Sequence, residues 1–359
     1  MKYSIPYSNH GSSPIHIEDI LLLLKHSIES ISGNYVNLSR TIDYNSCNII
    51  LENFGSNDFL KSLIESRADY IIVATEFITN KTFNCFSNNS DYGKHSIWKT
   101  RYNNFIEAAK YARAIWCFYE DLIDDYRNIV GEKILFFPMT YVPKLKQFET
   151  RPFLFKDIDV IFTGGVTAYR KNIFDELTAA GLEIFTMPSN TPTYIRNDFS
   201  SRAKIGINLR QSRDWKYASL MRYHYHIMNK VPMIGEKCEI ASYLDKYVII
   251  ADRSTFVSKC IEMIENKNVC AESLYSNFEA EMQCSNFIPQ LIDKTMSFQI
   301  TKCKDLSFST RIKWQGNVHE DELVDEFHII TEEFNIVLWT FLAIRKFARK
   351  FLQLFHLKK

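Results

Sequence analysis

The chain has 359 residues, 46% of them hydrophobic, with 43 Lys and Arg against 42 Asp and Glu and a pI near 7.6. Such a length and apolar content can bury a large core and favour two domains over one, and the even charge balance gives no footprint for nucleic acid. Eight cysteines, at 47, 85, 117, 238, 260, 270, 284 and 303, form no Cys-x-x-Cys pair. Neither a zinc site nor a disulfide framework fits that spacing, so free buried thiols in a reducing cytoplasm are expected.

Only Lys2 is basic at the very start, and no apolar run there is long enough for a signal peptide. Residues 2–7 (KYSIPY) read as a first strand and 8–14 (SNHGSSP) as a polar loop. Residues 15–31 carry apolar side chains at helical spacing, with Glu18 and Asp19 early, where the helix dipole favours acids. The stretch ILLLLKHSI within it is too short to cross a bilayer and is broken by Lys25. Four short apolar runs follow, at 48–54 (NIILENF), 69–77 (DYIIVATEF), 113–119 (RAIWCFY) and 133–138 (KILFFP), with helical pieces at 58–66, 102–112 and 119–129 between them. Buried parallel strands look like this, and strand–helix alternation implies right-handed βαβ units.

Residues 138–153 hold three prolines and no clear period, which reads as an interdomain linker. A second alternating series then begins. Strands are expected at 157–163 (DIDVIFT), 182–187 (LEIFTM), 203–210 (AKIGINLR), 231–236 (VPMIGE) and 246–251 (KYVIIA), with helices after Gly164-Gly165, before Val231 and over 253–266. The expected fold class is α/β, two Rossmann-like doubly wound domains facing a cleft. The boundaries are 1–145, 146–300 and a C-terminal helical segment, 301–359. In that last segment, 319–333 holds seven acids and no Lys or Arg, whereas 334–359 holds six Lys and Arg and no acid. Residues 334–359 have the composition of an interfacial membrane helix and equally of a terminal helix docked on its own protein; they are too short to span a bilayer.

Gly164-Gly165 after a strand lets the backbone turn tightly and approach a ligand, and the helix that follows aims free N–H groups at that space. Arg170 and Lys171 add cations near its first turn, although on spacing alone an ordinary strand–helix turn with a solvated Arg-Lys pair accounts for the same residues better. The spacing is not Gly-x-Gly-x-x-Gly, so no dinucleotide fingerprint is supported, which argues against an NAD enzyme. Arg222 leads a helix, and Glu236 follows a strand's carboxyl end, where open α/β sheets bind ligands. His224 and His226, at i and i+2, point to different faces of a helix and cannot share a metal. In the first half, Glu76, Asp121 and His10 sit at strand ends where a general base could lie; each is equally explained as a cap or a solvated residue.

Residues 157–184 (DIDVIFTGGVTAYRKNIFDELTAAGLEI) and 204–239 (KIGINLRQSRDWKYASLMRYHYHIMNKVPMIGEKCE) resemble the donor-site blocks of bacterial group-1-type glycosyltransferases of the GT-B fold. The similarity covers roughly residues 1–285, and order and spacing carry it more than any one motif. It implies a nucleotide-sugar bound mainly by the second domain and transfer to a polysaccharide, lipid-linked or protein acceptor. It also implies no bound metal and no cofactor beyond the donor substrate. Carried over, Gly164 and Gly165 lie against the diphosphate, Arg170, Lys171 and Arg222 are the cationic donor contacts, and Glu236 is the carboxylate after the strand. Glu76 matches an acceptor-domain glutamate, with His10 and Asp121 behind it as candidate catalytic residues. Two positions depart from the pattern: Tyr225 stands where many members carry glutamate, and Lys230 where they carry a small residue. The alternatives are a non-catalytic GT-B-like interaction subunit at the membrane surface and another Rossmann enzyme, using NAD or S-adenosylmethionine. A cytoplasmic chain, peripheral on the inner face of the membrane, is the expected setting.

Overall fold

In the computed structural model, which describes residues 1–10, 14–85, 95–188, 190–266 and 271–300, the first series begins with β1 (Lys2–Pro6), α1 (Glu18–Glu29), β2 (Tyr35–Ser39) and β3 (Cys47–Leu51). It continues through α2 (Asn57–Glu65), β4 (Tyr70–Ala74), a small hairpin of β5 (Ile78–Thr79) and β6 (Thr82–Phe83), α3 (His95–Tyr111), β7 (Ala114–Cys117), α4 (Ile123–Val130) and β8 (Ile134–Phe136). Six of these strands form a parallel sheet in the order β2-β1-β3-β4-β7-β8. Strands β3 and β4 are buried at every position, as central strands covered on both faces must be.

The second series is β9 (Ile158–Thr163), α5 (Ala168–Ala179), β10 (Ile184–Met187), α6 (Thr193–Arg202), β11 (Ala203–Asn208), α7 (Leu220–Met228), β12 (Met233–Glu236), β13 (Ile249–Ala251) and α8 (Phe256–Glu265). Its five strands are parallel in the order β10-β9-β11-β12-β13. Two further helices follow, α9 (Ala271–Glu281) and α10 (Ile288–Ser297). α10 returns to the first sheet, where Trp116 Nε1 donates to Thr295 Oγ1 at 2.9 Å.

Two doubly wound parallel sheets are therefore present. In each, the strand order reverses between the first strand and the third of the series, β1/β3 and β9/β11, and such reversals open a crevice at the carboxyl edge. The two carboxyl edges face each other. Tyr119 Oη, after β7, donates to the Ala218 carbonyl at 3.0 Å, and Phe77, after β4, stacks on Tyr217 with centroids 4.4 Å apart. Near the amino ends of α1 and α6, Asp19 and Arg196 form a two-pronged ion pair at 2.6 and 2.7 Å.

Several elements carry no clear sequence signal: β2, the β5–β6 hairpin, α9, α10 and α6. Helix α6 (TYIRNDFSSR) is the instructive one, being polar with no clean apolar period. Partners elsewhere in the chain hold it: Asp19 on Arg196, Asp157 on Arg202, and the Tyr225 hydroxyl on Asn197 and Ser200. Among the described residues no helix is long and apolar enough to cross a membrane, and the basic segment 334–359 lies outside them.

Candidate functional site

The crevice between β9 and β11 is built around an arginine. Arg222, in the first turn of α7, donates from Nε to the Thr163 carbonyl at 2.9 Å and from Nη1 to Asn208 Oδ1 at 2.6 Å. Its guanidinium carbon lies 4.6 Å from the Phe162 ring centroid, a cation–π distance. No carboxylate among the described residues pairs with it, and burial pushes its pKa down to about 10. At neutral pH it keeps its charge, so this crevice holds an uncompensated cation.

Gly164 makes room for that cation. Its φ is +132°, and a Cβ built there would stand 2.7 Å from Arg222 Nη2. Both conditions require glycine. The turn then enters α5 through Thr167, whose side chain accepts from Arg170 N at 3.3 Å. Gly165 is exposed between them, next to the unpaired amides of the helix start.

The other donor-side candidates sit differently. Arg170 is buried, and its guanidinium donates to the carbonyls of Gly165, Leu209 and Arg210 at 2.7, 2.9 and 3.0 Å. It ties the β9–α5 turn to the segment after β11, and so shapes the crevice. Lys171 points to solvent and pairs with Asp175 one turn on. Glu236 is fully buried; it accepts from Arg210 Nε at 2.9 Å, from Arg210 Nη2 at 2.7 Å, from Arg210 N at 3.1 Å and from the Tyr169 hydroxyl. It anchors Arg210, a residue that the sequence did not single out.

The rest of the Arg222–Glu239 stretch packs. The His224 ring meets the Thr140 carbonyl at 2.9 Å, while the His226 ring lies over Gly206, where a Cβ would come within 2.4 Å of it. The two rings therefore point apart. Tyr223 needs Gly235 in the same way, and Tyr225 is buried against α6 with Arg196 over its ring at 4.2 Å. Lys230 takes the turn before β12 at φ +54°, a left-handed conformation that favours glycine.

Across the interface, the first sheet carries a different cluster. Glu76, just past β4, accepts from Arg101 Nη2 at 2.6 Å and from Asn84 Nδ2 at 2.5 Å. The same Arg101 nitrogen also donates to Glu52, which follows β3 and is fully buried. Burial pushes Glu52 up to about 7; Arg101 opposes this and Glu76 adds to it. His10, after β1, is half-buried and pushed down to about 3 by desolvation, then by His16 and Arg101. A neutral ring of such low basicity is a weak proton acceptor near pH 7. Asp121 is exposed on the short turn after β7 and lies within electrostatic reach of Tyr217. Thus Glu76 shares Arg101 with Glu52, His10 lies within electrostatic reach of Arg101 without a described bond to it, and Asp121 stands apart. Glu52 was legible in principle, since it ends an apolar run as Glu76 does; Arg101, inside a helical stretch, gave no signal.

By sequence the chain matches no family model and none of the curated proteins. By structure it matches an alpha-glucosyltransferase (AGT) in complex with UDP, at TM-score 0.54 and 9% identity, over 82% of this chain and 99% of that one. The alpha-glucosyltransferase in complex with UDP-glucose and DNA containing an abasic site gives TM-score 0.50 and 10% identity over 82% and 98%. The fold is GT-B. TarM aligns at TM-score 0.48 and 13% identity over 71% of this chain, which spans 55% of TarM. In GT-B terms, the β9/β11 crevice belongs to the second Rossmann-like half and the Arg101 cluster to the first.

Proposed function

We propose that the chain transfers a glycosyl group from a nucleotide-sugar to an acceptor hydroxyl. The observation that carries this reading is Arg222: a partly buried guanidinium with no carboxylate partner among the described residues, at the strand-order reversal of a GT-B second half and beside the Cβ-free Gly164. A diphosphate is the anion that such a crevice suits, because the guanidinium and the free amides at the start of α5 can bind its oxygens together. The UDP and UDP-glucose complexes of the similarly folded alpha-glucosyltransferases support the donor class.

The chemistry follows from charge. An acceptor hydroxyl attacks the anomeric carbon, the bond to the diphosphate oxygen breaks, and negative charge grows on the leaving phosphate. Arg222 and the helix amides are fixed before the reaction, so they stabilise that charge without reorganising. In this reading the leaving group needs no metal. On the acceptor side Glu76 is the candidate base, with Arg101 and Asn84 orienting its two oxygens. The acceptor class we assign is a glycan, lipid-linked or protein hydroxyl, met on the cytoplasmic side of the membrane.

A thermal-shift screen against UDP, GDP, CMP and their sugars tests this. At least one should raise the melting temperature of the chain, since a ligand that binds only the folded state stabilises it. Arg222→Met should abolish that shift. Silence across the whole panel removes the donor reading and leaves a non-catalytic GT-B subunit; an undiminished shift in the variant moves the donor away from Arg222.

A further inference from the structure

A pocket on the same half has a lining that does not include Arg222. Helix α5 turns Tyr169, Asn172 and Glu176 to one face, at i, i+3 and i+7. Together with Arg210 and Arg213 after β11, and Arg253 after β13, that face encloses about 410 Å³. None of Gly164, Gly165, Asn208 or Arg222 lines this space. Its walls carry three guanidiniums, one carboxylate, an amide and a phenol, and no aliphatic side chain. An apolar ligand gains nothing here, whereas an anion meets donors on several sides.

The three arginines differ in how they are held. Arg210 is fixed by the buried Glu236, with Nε and Nη2 on the same carboxylate oxygen at 2.9 and 2.7 Å. Arg253 is paired with Glu176, Nη1 standing 2.9 Å from Oε2. Arg213 is exposed, and no carboxylate among the described residues pairs with it. Three arginines against Glu176 and Glu236 leave one net positive charge around the pocket. Arg210 and Arg253 are held in place by these carboxylates, Arg210 also through Nη1 on the Arg213 carbonyl at 3.0 Å, whereas the Arg213 side chain is free to close on a ligand.

We propose that this pocket is a second anion site, separate from the Arg222 crevice, and that it takes a phosphate monoester. A phosphoryl group offers three oxygens to guanidinium forks, where a carboxylate offers two, and Arg is the side chain that binds phosphate in a planar two-bond mode. The phosphoryl group could belong to a free metabolite or to the nucleotide itself, and the experiment separates these sources. The proposal stands on the pocket's own residues and does not depend on the donor reading.

Calorimetric titration of the full chain with inorganic phosphate is the test, run on the wild type, Arg213→Ala, Arg213→Ala with Arg253→Ala, and Arg222→Met. Binding by the wild type and by Arg222→Met alike, with at least about tenfold weaker binding in Arg213→Ala, is the expected result, since one charge-assisted contact is removed. Arg213 is exposed and unpaired, so its truncation leaves folding intact. No binding by the wild type overturns the proposal. So does undiminished binding in the double variant, or loss in Arg222→Met. Titration of UDP or GDP into the phosphate-loaded chain completes it: additive binding supports a separate site, and displacement of phosphate assigns the pocket to the nucleotide and overturns it. The donor reading fails by a different result, the absence of any nucleotide effect.

Discussion

The two strand-order reversals have the same topology and opposite electrostatics. At the carboxyl edge of the first sheet, Arg101 is shared by two carboxylates, Glu52 and Glu76. At that of the second, Arg222 has, among the described residues, only a carbonyl and an amide oxygen as acceptors. Both arginines are partly buried. Burial works against the Arg101 charge, but its two carboxylates more than offset it and its pKa stands above the usual range; that of Arg222 is pushed down to about 10. A crevice that has neutralised its own cation binds anions weakly. One that has not is stabilised by an anion from outside, and this is why the donor is assigned to the second half.

Substitution of the two arginines should break the symmetry openly. Arg101→Met leaves the buried Glu52 and the partly buried Glu76 without their counter-charge, so chemical denaturation should show a loss of about 3–5 kcal/mol. Arg222→Met removes a cation that has no partner and leaves two acceptors unfilled, so about 1–2 kcal/mol is expected in the absence of ligand. Equal losses would refute the contrast.

Acid titration sharpens it further, because Glu52 beside Arg101 and His226 beside Arg222 respond with opposite signs. His226 is buried neutral, its pKa pushed down to about 3 by burial, then by Arg222 and Arg196. The unfolded chain takes up this proton below about 6.5 while the folded chain does not, so stability falls as pH drops from about 6.5 towards 3, by about 1.4 kcal/mol per unit for this group. Glu52, pushed up to about 7, does the reverse: the unfolded chain releases its proton near the ordinary glutamate value and the folded chain retains it. Stability from this group therefore falls as pH rises from about 4.5 to about 7. Urea denaturation at several pH values should show His226→Phe flattening the acid limb and Glu52→Gln flattening the opposing slope. Smallest of all, Lys171→Ala should change stability by less than about 0.5 kcal/mol and leave nucleotide binding unaltered, because its pair with Asp175 is solvent-exposed.

The linear chain carried the fold well where pattern is local. Apolar runs marked β3, β4, β7, β9 and β11, and each lies where a buried parallel strand was expected. Gly164 and Arg222 were also legible, one from a strand ending in glycines and the other from its place at the head of a helix before a Pro-containing strand. Polar and weakly periodic elements escaped: α6 is helical because Asp19, Asp157 and Tyr225 reach it from far along the chain. The Arg101–Glu52 pair and the Arg210–Glu236 pair bridge 49 and 26 residues respectively.

Residue type and spacing by themselves thus determined two things: that strands and helices alternate, and which side chains stand at strand ends. They could not decide which of those charges are free. Arg170, Glu236 and Arg222 all read as ligand-binding candidates. Tertiary packing occupied Arg170 with three carbonyls, locked Glu236 to Arg210 and Tyr169, and left Arg222 without a counter-charge. The reason is physical: a side chain's capacity to bind a ligand depends on the partners it already has, and those partners come from distant parts of the chain that only folding brings together.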